Sequence, residues 1–168
     1  MIRRCELPAS ALLRAYLRDG GFADGYCTDV AGAVSHARFV EAFYTTWLFR
    51  IERAILHLAA RRPSRDEDVR ALASGASERF AAWSVEARAP DQLLLADMLG
   101  NTRSWLMTEP LASGTRLYFG SAVVPRRPRT AGGAPRTGLV FRLLLGFHAL
   151  YSRALLAAAV RRLAHAPS

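Results

Sequence analysis

Four side chains in the second half of the chain are of the types that hold an acidic amphiphile: Arg103, Trp105, Arg116 and Tyr118. A guanidinium presents a planar fork that fits a carboxylate or phosphate, and indole and phenol rings offer flat apolar walls. The competing role for both arginines is to reach the rim of a sheet and pair with Asp97, Glu109 or solvent, as long snorkelling side chains often do. Asp24 and Tyr26 share one face of a strand and can serve as acid and base near a cavity mouth, or simply as hydrogen-bonding groups at a sheet edge. His148 follows Phe147 in the middle of an apolar stretch, where a neutral imidazole bonded to backbone or carboxylate is the simpler role. Cys5, Cys27, His36, His57 and His165 show no metal-ligand or redox spacing. No metal and no cofactor is implied, and no structural disulfide is expected.

Several chemistries are excluded outright. The chain has no lysine, which removes Schiff-base catalysis, the phosphate-cradling P-loop and the kinase strand lysine. It also lacks a Gly-x-Ser-x-Gly elbow, a dinucleotide fingerprint and a paired-carboxylate motif, so no catalytic motif supports an enzyme. For nucleic acid, the loop arginines are interleaved with Pro and Gly rather than aromatics, and no binding module is recognisable. Nothing in the residues fixes an oligomeric state.

These groups need elements to position them. With 168 residues, 51% hydrophobic and 22% charged, the chain is long enough for one core and too short for two ordinary domains. Pro8 followed by Ala9 to Leu17 reads as a short helix, and Phe22 to Val30 as a first strand. Ser35 can cap a helix whose apolar positions run from Val40 to Leu58, with Thr45 and Thr46 as a natural break. Asp66 to Ala73 reads as a second short helix ending before Gly75. A four-strand meander follows. Two-residue turns at Pro90-Asp91 and Gly100-Asn101 put Trp83, Val85, Ala87, Leu94, Ala96, Met98, Trp105 and Met107 on one dry face. A four-residue loop from Pro110 to Ser113 adds Arg116, Tyr118, Gly120 and Ala122, so that the four residues named first become near neighbours.

The segment 125–138 is a basic loop of Pro, Gly and Arg, suited to a lid or a tether. Residues 139–165 form a C-terminal helix that is apolar over more than half its circumference and needs cover on two sides. Arg142, His148 and Arg153 make it costly as a membrane span. Met1 to Glu109 carry 14 Arg and 14 acids, whereas Pro110 to Ser168 carry nine Arg and no acid. That asymmetry favours contact with something anionic, although arginine-rich, alanine-rich coding bias produces the same pattern.

The order of strand, helices, antiparallel meander and long terminal helix resembles the helix-grip superfamily, which includes START lipid-transfer domains, pollen-allergen proteins and polyketide cyclases. FADGYCTDV, VEAFYTTWLFRIERAIL, TRSWLMTEP, GTRLYFGSAVV and LLLGFHALYSR are similar to segments of uncharacterised bacterial proteins within or beside it. The resemblance implies an α+β fold, a meander curved around the C-terminal helix, and a hydrophobic cavity beneath that helix. It departs in offering four strands rather than six after the helices, and it carries no universal catalytic motif. The expectation is a single cytoplasmic domain over 1–168: an N-terminal helix in 1–20, the sheet with its inserted helices in 22–124, the basic loop, and the terminal helix. Its function would be to bind a small hydrophobic ligand, with an acidic group accommodated, beside Arg103, Trp105, Arg116, Tyr118, Trp83, Met98, Phe147, Tyr26 and Asp24. One alternative is a noncatalytic protein that docks an anionic membrane surface or acidic partner through its basic last third. Another is a cyclase-like enzyme using Asp24, Tyr26 or His148 as proton carriers.

Overall fold

The computed structural model describes residues 1–17, 22–50, 65–124 and 139–165, with 139–148 as backbone alone. Seven strands form one sheet in the order β1-β2-β7-β6-β5-β4-β3, every neighbouring pair antiparallel. They are β1 (Arg3–Arg4), β2 (Phe22–Ala31), β3 (Arg79–Phe80), β4 (Trp83–Ala89), β5 (Gln92–Asp97), β6 (Thr102–Leu111) and β7 (Gly114–Val123). Helices α1 (His36–Tyr44) and α2 (Asp66–Ser74) lie between β2 and β3, and α3 (Leu139–His165) follows the sheet. The protein is α+β, with an antiparallel meander packed by a long C-terminal helix in a helix-grip-like arrangement. The basic loop expected over 125–138 lies outside the described residues.

Local chemistry explains the helix boundaries. Ser35 Oγ accepts the Arg38 amide at 3.3 Å and starts α1. Thr45 Oγ1 then donates to the Glu41 carbonyl at 2.7 Å and Thr46 Oγ1 to that of Phe43 at 2.9 Å. The same Thr46 hydroxyl accepts the Phe49 amide at 3.2 Å, and residues 47–50 are helical again. The two threonines thus end one helix and cap the next, the break that β-branched, backbone-bonding side chains predict. In α2, Asp66, Glu67 and Asp68 occupy the positive end, Asp68 accepts the Arg65 amide, and Gly75 closes the helix at φ 81°.

Two turns differ from expectation by an even number of residues. A two-residue turn at Gly100-Asn101 would set Ala96 opposite Trp105, but Ala96 lies opposite Arg103. Asp97 Oδ1 accepts the amides of Asn101 and Thr102, at 2.7 and 3.1 Å, and stabilises this longer turn. Between β6 and β7, Leu111 opposes Gly114, so Ala112 and Ser113 alone make the turn. Slips of two residues keep every side chain on its expected face while sliding one strand along its neighbour. A bulge does the reverse. The register shift between Val85 and Ala87 turns Trp83 and Val85 onto the face opposite Ala87.

The layers correct the expected cover of the sheet. Sequence places the terminal helix over the Trp105 face, whereas α1, α2 and α3 pack on the opposite one. Leu155, Leu156 and Ala159 of α3 join Phe39 and Phe43 of α1 against Tyr26, Leu93, Leu95, Leu106, Leu117 and Phe119. Each Leu or Phe among them contributes roughly 1.5–3 kcal/mol by leaving water. The Trp105 face is covered by the N-terminal segment instead. Leu7, Ala11 and Leu13 pack on Cys27, Leu94, Trp105, Met107, Tyr118 and Ala122. Ala9 to Leu17, expected as a helix, contains a 3-10 helix over Leu12–Leu17. The fit is close at Gly120, where a Cβ would stand 2.7 Å from Leu13 Cδ2 and 2.9 Å from Trp105 Cε3. The physical reason lies in β5: Leu93, Leu94 and Leu95 make both faces apolar, so both need a cover.

Candidate ligand-binding site

The face under the N-terminal segment is satisfied internally. Trp105, fully buried, donates its indole N–H to Gln92 Oε1 at 2.9 Å. That oxygen also accepts the Leu12 amide at 3.0 Å, and Gln92 Nε2 donates to the Ser10 carbonyl at 3.1 Å. Arg103 pairs with Glu86 at 2.6 Å and donates to the Tyr16 hydroxyl at 2.7 Å, its guanidinium 4.8 Å from the Tyr16 ring centre. Tyr16 in turn donates to Glu86. Arg116 grips Asp29 with Nε and Nη2, at 2.6 and 3.0 Å, and holds that carboxyl below its usual range. Tyr118 donates to Glu109 at 2.5 Å, and burial, then that hydrogen bond, pushes its phenol up to about 12.

The four residues singled out first therefore do not converge. Trp105 and Tyr118 do meet, with ring centres 6.0 Å apart. Arg103, opposite Ala122, and Arg116, opposite Glu109, are separated by six positions along β6, about 20 Å at the rise of an antiparallel strand. The two-residue slip at the β6–β7 turn moves them apart. Each arginine finds a carboxylate at the rim: Arg103 takes Glu86 rather than Asp97, and Arg116 takes Asp29 together with the expected Glu109 at 3.9 Å.

Across the sheet, the helix-bearing side carries a buried polar row. Asp24 on β2 lies opposite Ser121 on β7, which lies opposite Ser104 on β6. Ser121 Oγ donates to Asp24 Oδ1 at 2.9 Å, and Tyr26 donates to Asp24 Oδ2 at 3.1 Å. The Tyr44 and Ser104 hydroxyls are 2.9 Å apart. Burial first, then the Asp24 charge, raises the Tyr26 phenol to about 12, so it keeps its proton at neutral pH and acts as a donor. From α3, Ser152 stands on the stripe that includes Leu155, Leu156, Ala159 and Leu163 and is 1% exposed. Its Oγ has no hydrogen-bond partner among the described residues, and the next residue, Arg153, sets its guanidinium 5.8 Å from the Tyr26 ring centre.

The other expected residues are scattered. Trp83 sits against the helix-side core with a buried indole N–H that has no partner among the described residues. Met98 is exposed in the β5–β6 turn, and the two residues line one open hollow of about 310 Å³. Phe147 and His148 lie where no side chains are described. Sequence reasoning missed Ser152, Arg88 and His36 as a group of unmatched polar atoms. Ser152 carried a signal, as a hydroxyl on the same helical stripe as the apolar Leu155, Leu156, Ala159 and Leu163. The described residues contain no cluster placed to hold a metal ion and no helix long and apolar enough to cross a membrane.

Fold and site together define an α+β sheet-and-helix domain with a polar row buried beneath its terminal helix. Comparison with protein-family models, curated proteins and solved structures returned no match for this chain.

Proposed function

We propose that the chain is a helix-grip domain that binds a small, mainly hydrophobic ligand in the layer between its sheet and α3. One observation carries the reading: every buried side-chain polar atom without a partner among the described residues lies on the helix-bearing side, on His36, Trp83, Arg88 or Ser152. Such groups cost about 1–3 kcal/mol each when nothing answers them, and they are the means by which an apolar pocket orients a ligand. The polar end is marked by the Ser152 hydroxyl on α3 rather than by Arg103 and Arg116, whose charges are already answered. This favours a ligand hydroxyl or amine at that end over an acid. Free thiols at Cys5 and Cys27 suit a reducing cytoplasm.

Native mass spectrometry of protein purified from its own host tests the proposal. A stoichiometric small-molecule adduct is expected, and Ser152→Leu, which fills the polar end with hydrocarbon, should remove it. Bare wild-type protein, or an adduct indifferent to Ser152→Leu, would contradict the reading.

A second reading, docking on an anionic membrane, is favoured by Leu150 standing exposed on the same outer side of α3 as Arg153. Flotation with phosphatidylserine vesicles should then show binding at low salt that high salt removes. No binding at low salt would dismiss it.

A further inference from the structure

The two ends of the sheet differ in what they expose. One end turns through Gly32-Ala33, Pro90-Asp91 and Ala112-Ser113 and shows no large apolar side chain in the open among the described residues. The other carries the β3–β4 and β5–β6 turns, the first residue of β2 and the last of β7. Past Met1, the large apolar side chains that stand exposed among the described residues are Leu17, Trp47, Met98, Leu99, Val123 and Leu150. All six belong to this second end.

Their placement follows from the topology. Met98 and Leu99 form the tip of the β5–β6 turn, and the Val124 amide donates to the Asn101 carbonyl of that turn at 2.8 Å, which sets Val123 beside it. Leu17 closes the 3-10 helix and shares a hollow with Ala23 of β2. Helix α1 starts at the opposite end, where the Val34 amide donates to Thr115, and by Tyr44 it has reached Ser104, so Trp47 lies further toward Thr102. Helix α3 runs the other way, with the Leu163 carbonyl meeting Arg38 near the start of α1 and Arg153 meeting Tyr26. Leu150 therefore stands about 4.5 Å nearer the Phe22 end than Arg153 does.

An exposed leucine on its own is ordinary, but six large apolar groups at one end and none at the other make a surface. They project from the tips of separate elements rather than lining a groove, which suits a deformable bilayer better than a shaped partner. Cations accompany them. Arg79 is exposed beside Met98, Arg153 is exposed one turn from Leu150, and the chain leaving this end after Val124 carries Arg126, Arg127, Arg129 and Arg136 and no acid over 125–138. Two carboxylates near them are already engaged, Glu86 by Arg103 and Asp97 by the amides of its own turn. Anionic headgroups complement such charges, and an indole like that of Trp47 is stable at headgroup depth.

We propose that this end of the molecule docks on an anionic bilayer, with Met98, Leu99 and Trp47 entering the headgroup region and the strands meeting the membrane end-on. The proposal rests on the membrane-docking reading and fixes which end meets the lipid.

Flotation of the full chain at low salt, with phosphatidylcholine vesicles containing phosphatidylserine, tests it. Leu99→Asp and Trp47→Asp should each weaken partition by about tenfold, because a carboxylate replaces an apolar group at the lipid boundary. Ala112→Asp, at the opposite end and beyond the reach of screened charge, should change it by less than about twofold. All three positions are exposed, and an unchanged denaturation midpoint separates lost docking from lost folding. Wild-type protein that does not float would remove membrane docking altogether. Wild-type protein that floats while Leu99→Asp and Ala112→Asp weaken it equally would overturn the assigned end and leave docking to another surface. Self-association without lipid that Leu99→Asp abolishes would overturn it in favour of a second copy of the chain.

Discussion

The two faces of the sheet solve the same problem differently. Under the N-terminal segment, polar groups are closed into pairs: Trp105 with Gln92, Arg103 with Glu86 and Tyr16, Arg116 with Asp29, and Tyr118 with Glu109. Under the helices lies the larger apolar cluster, yet donors and a hydroxyl stay buried there without a partner among the described residues. A satisfied face contributes stability and has nothing left to recognise a ligand with. An unsatisfied one gives up stability and keeps recognition.

Substitutions should expose that difference. The largest effect belongs to Trp105→Ala, which removes a buried indole and one of the two donors to Gln92 Oε1. A loss of about 3–5 kcal/mol is expected in chemical denaturation. Next is Arg103→Met, which leaves Glu86 and the Tyr16 hydroxyl without their cation and should cost about 1–2 kcal/mol. Arg88→Met, the same change on the other face, should be neutral or stabilising by up to about 1 kcal/mol, because it removes a buried Nε and Nη2 that have no partner among the described residues. Equal losses for Arg103→Met and Arg88→Met would erase the contrast.

The smallest effect is in pH. Burial depresses the His36 pKa from its ordinary value of 6.5, so as pH falls the unfolded chain takes up that proton first and stability declines below about 6.5. His36→Gln should flatten that part of the profile relative to the parent, measured as the difference in denaturation midpoint. An identical profile in the variant would show that the imidazole is not held neutral by its surroundings.

Much of this was readable before any coordinates. The Thr45–Thr46 break, the bounds of α3 and the partition of β5, β6 and β7 into two faces follow from capping chemistry and from a strand period of two. The two turns whose length differs from expectation leave the faces intact, because each slip is even. Three things were not legible. The bulge beside Glu86 has no compositional mark, yet it turns Trp83 to the other side. The cover of Trp105 comes from Leu7 to Tyr16, a stretch too irregular to show a period. Finally, the three leucines of β5 suit either cover, so the side taken by α3 was decided by the competition between two apolar segments for two apolar faces. The candidate site shifted accordingly, from the arginines at the rim to the polar atoms beneath the helices.

The indole N–H resonances of the three tryptophans offer the most direct test, since Trp105 reports the closed face, Trp83 the helix-bearing face, and the exposed Trp47 serves as a reference. On titration with decanol, an apolar chain ending in a hydroxyl, the Trp83 signal should shift and saturate while those of Trp105 and Trp47 stay in place. A saturating shift of Trp105 with Trp83 unmoved would contradict the account, placing the binding face under the N-terminal segment.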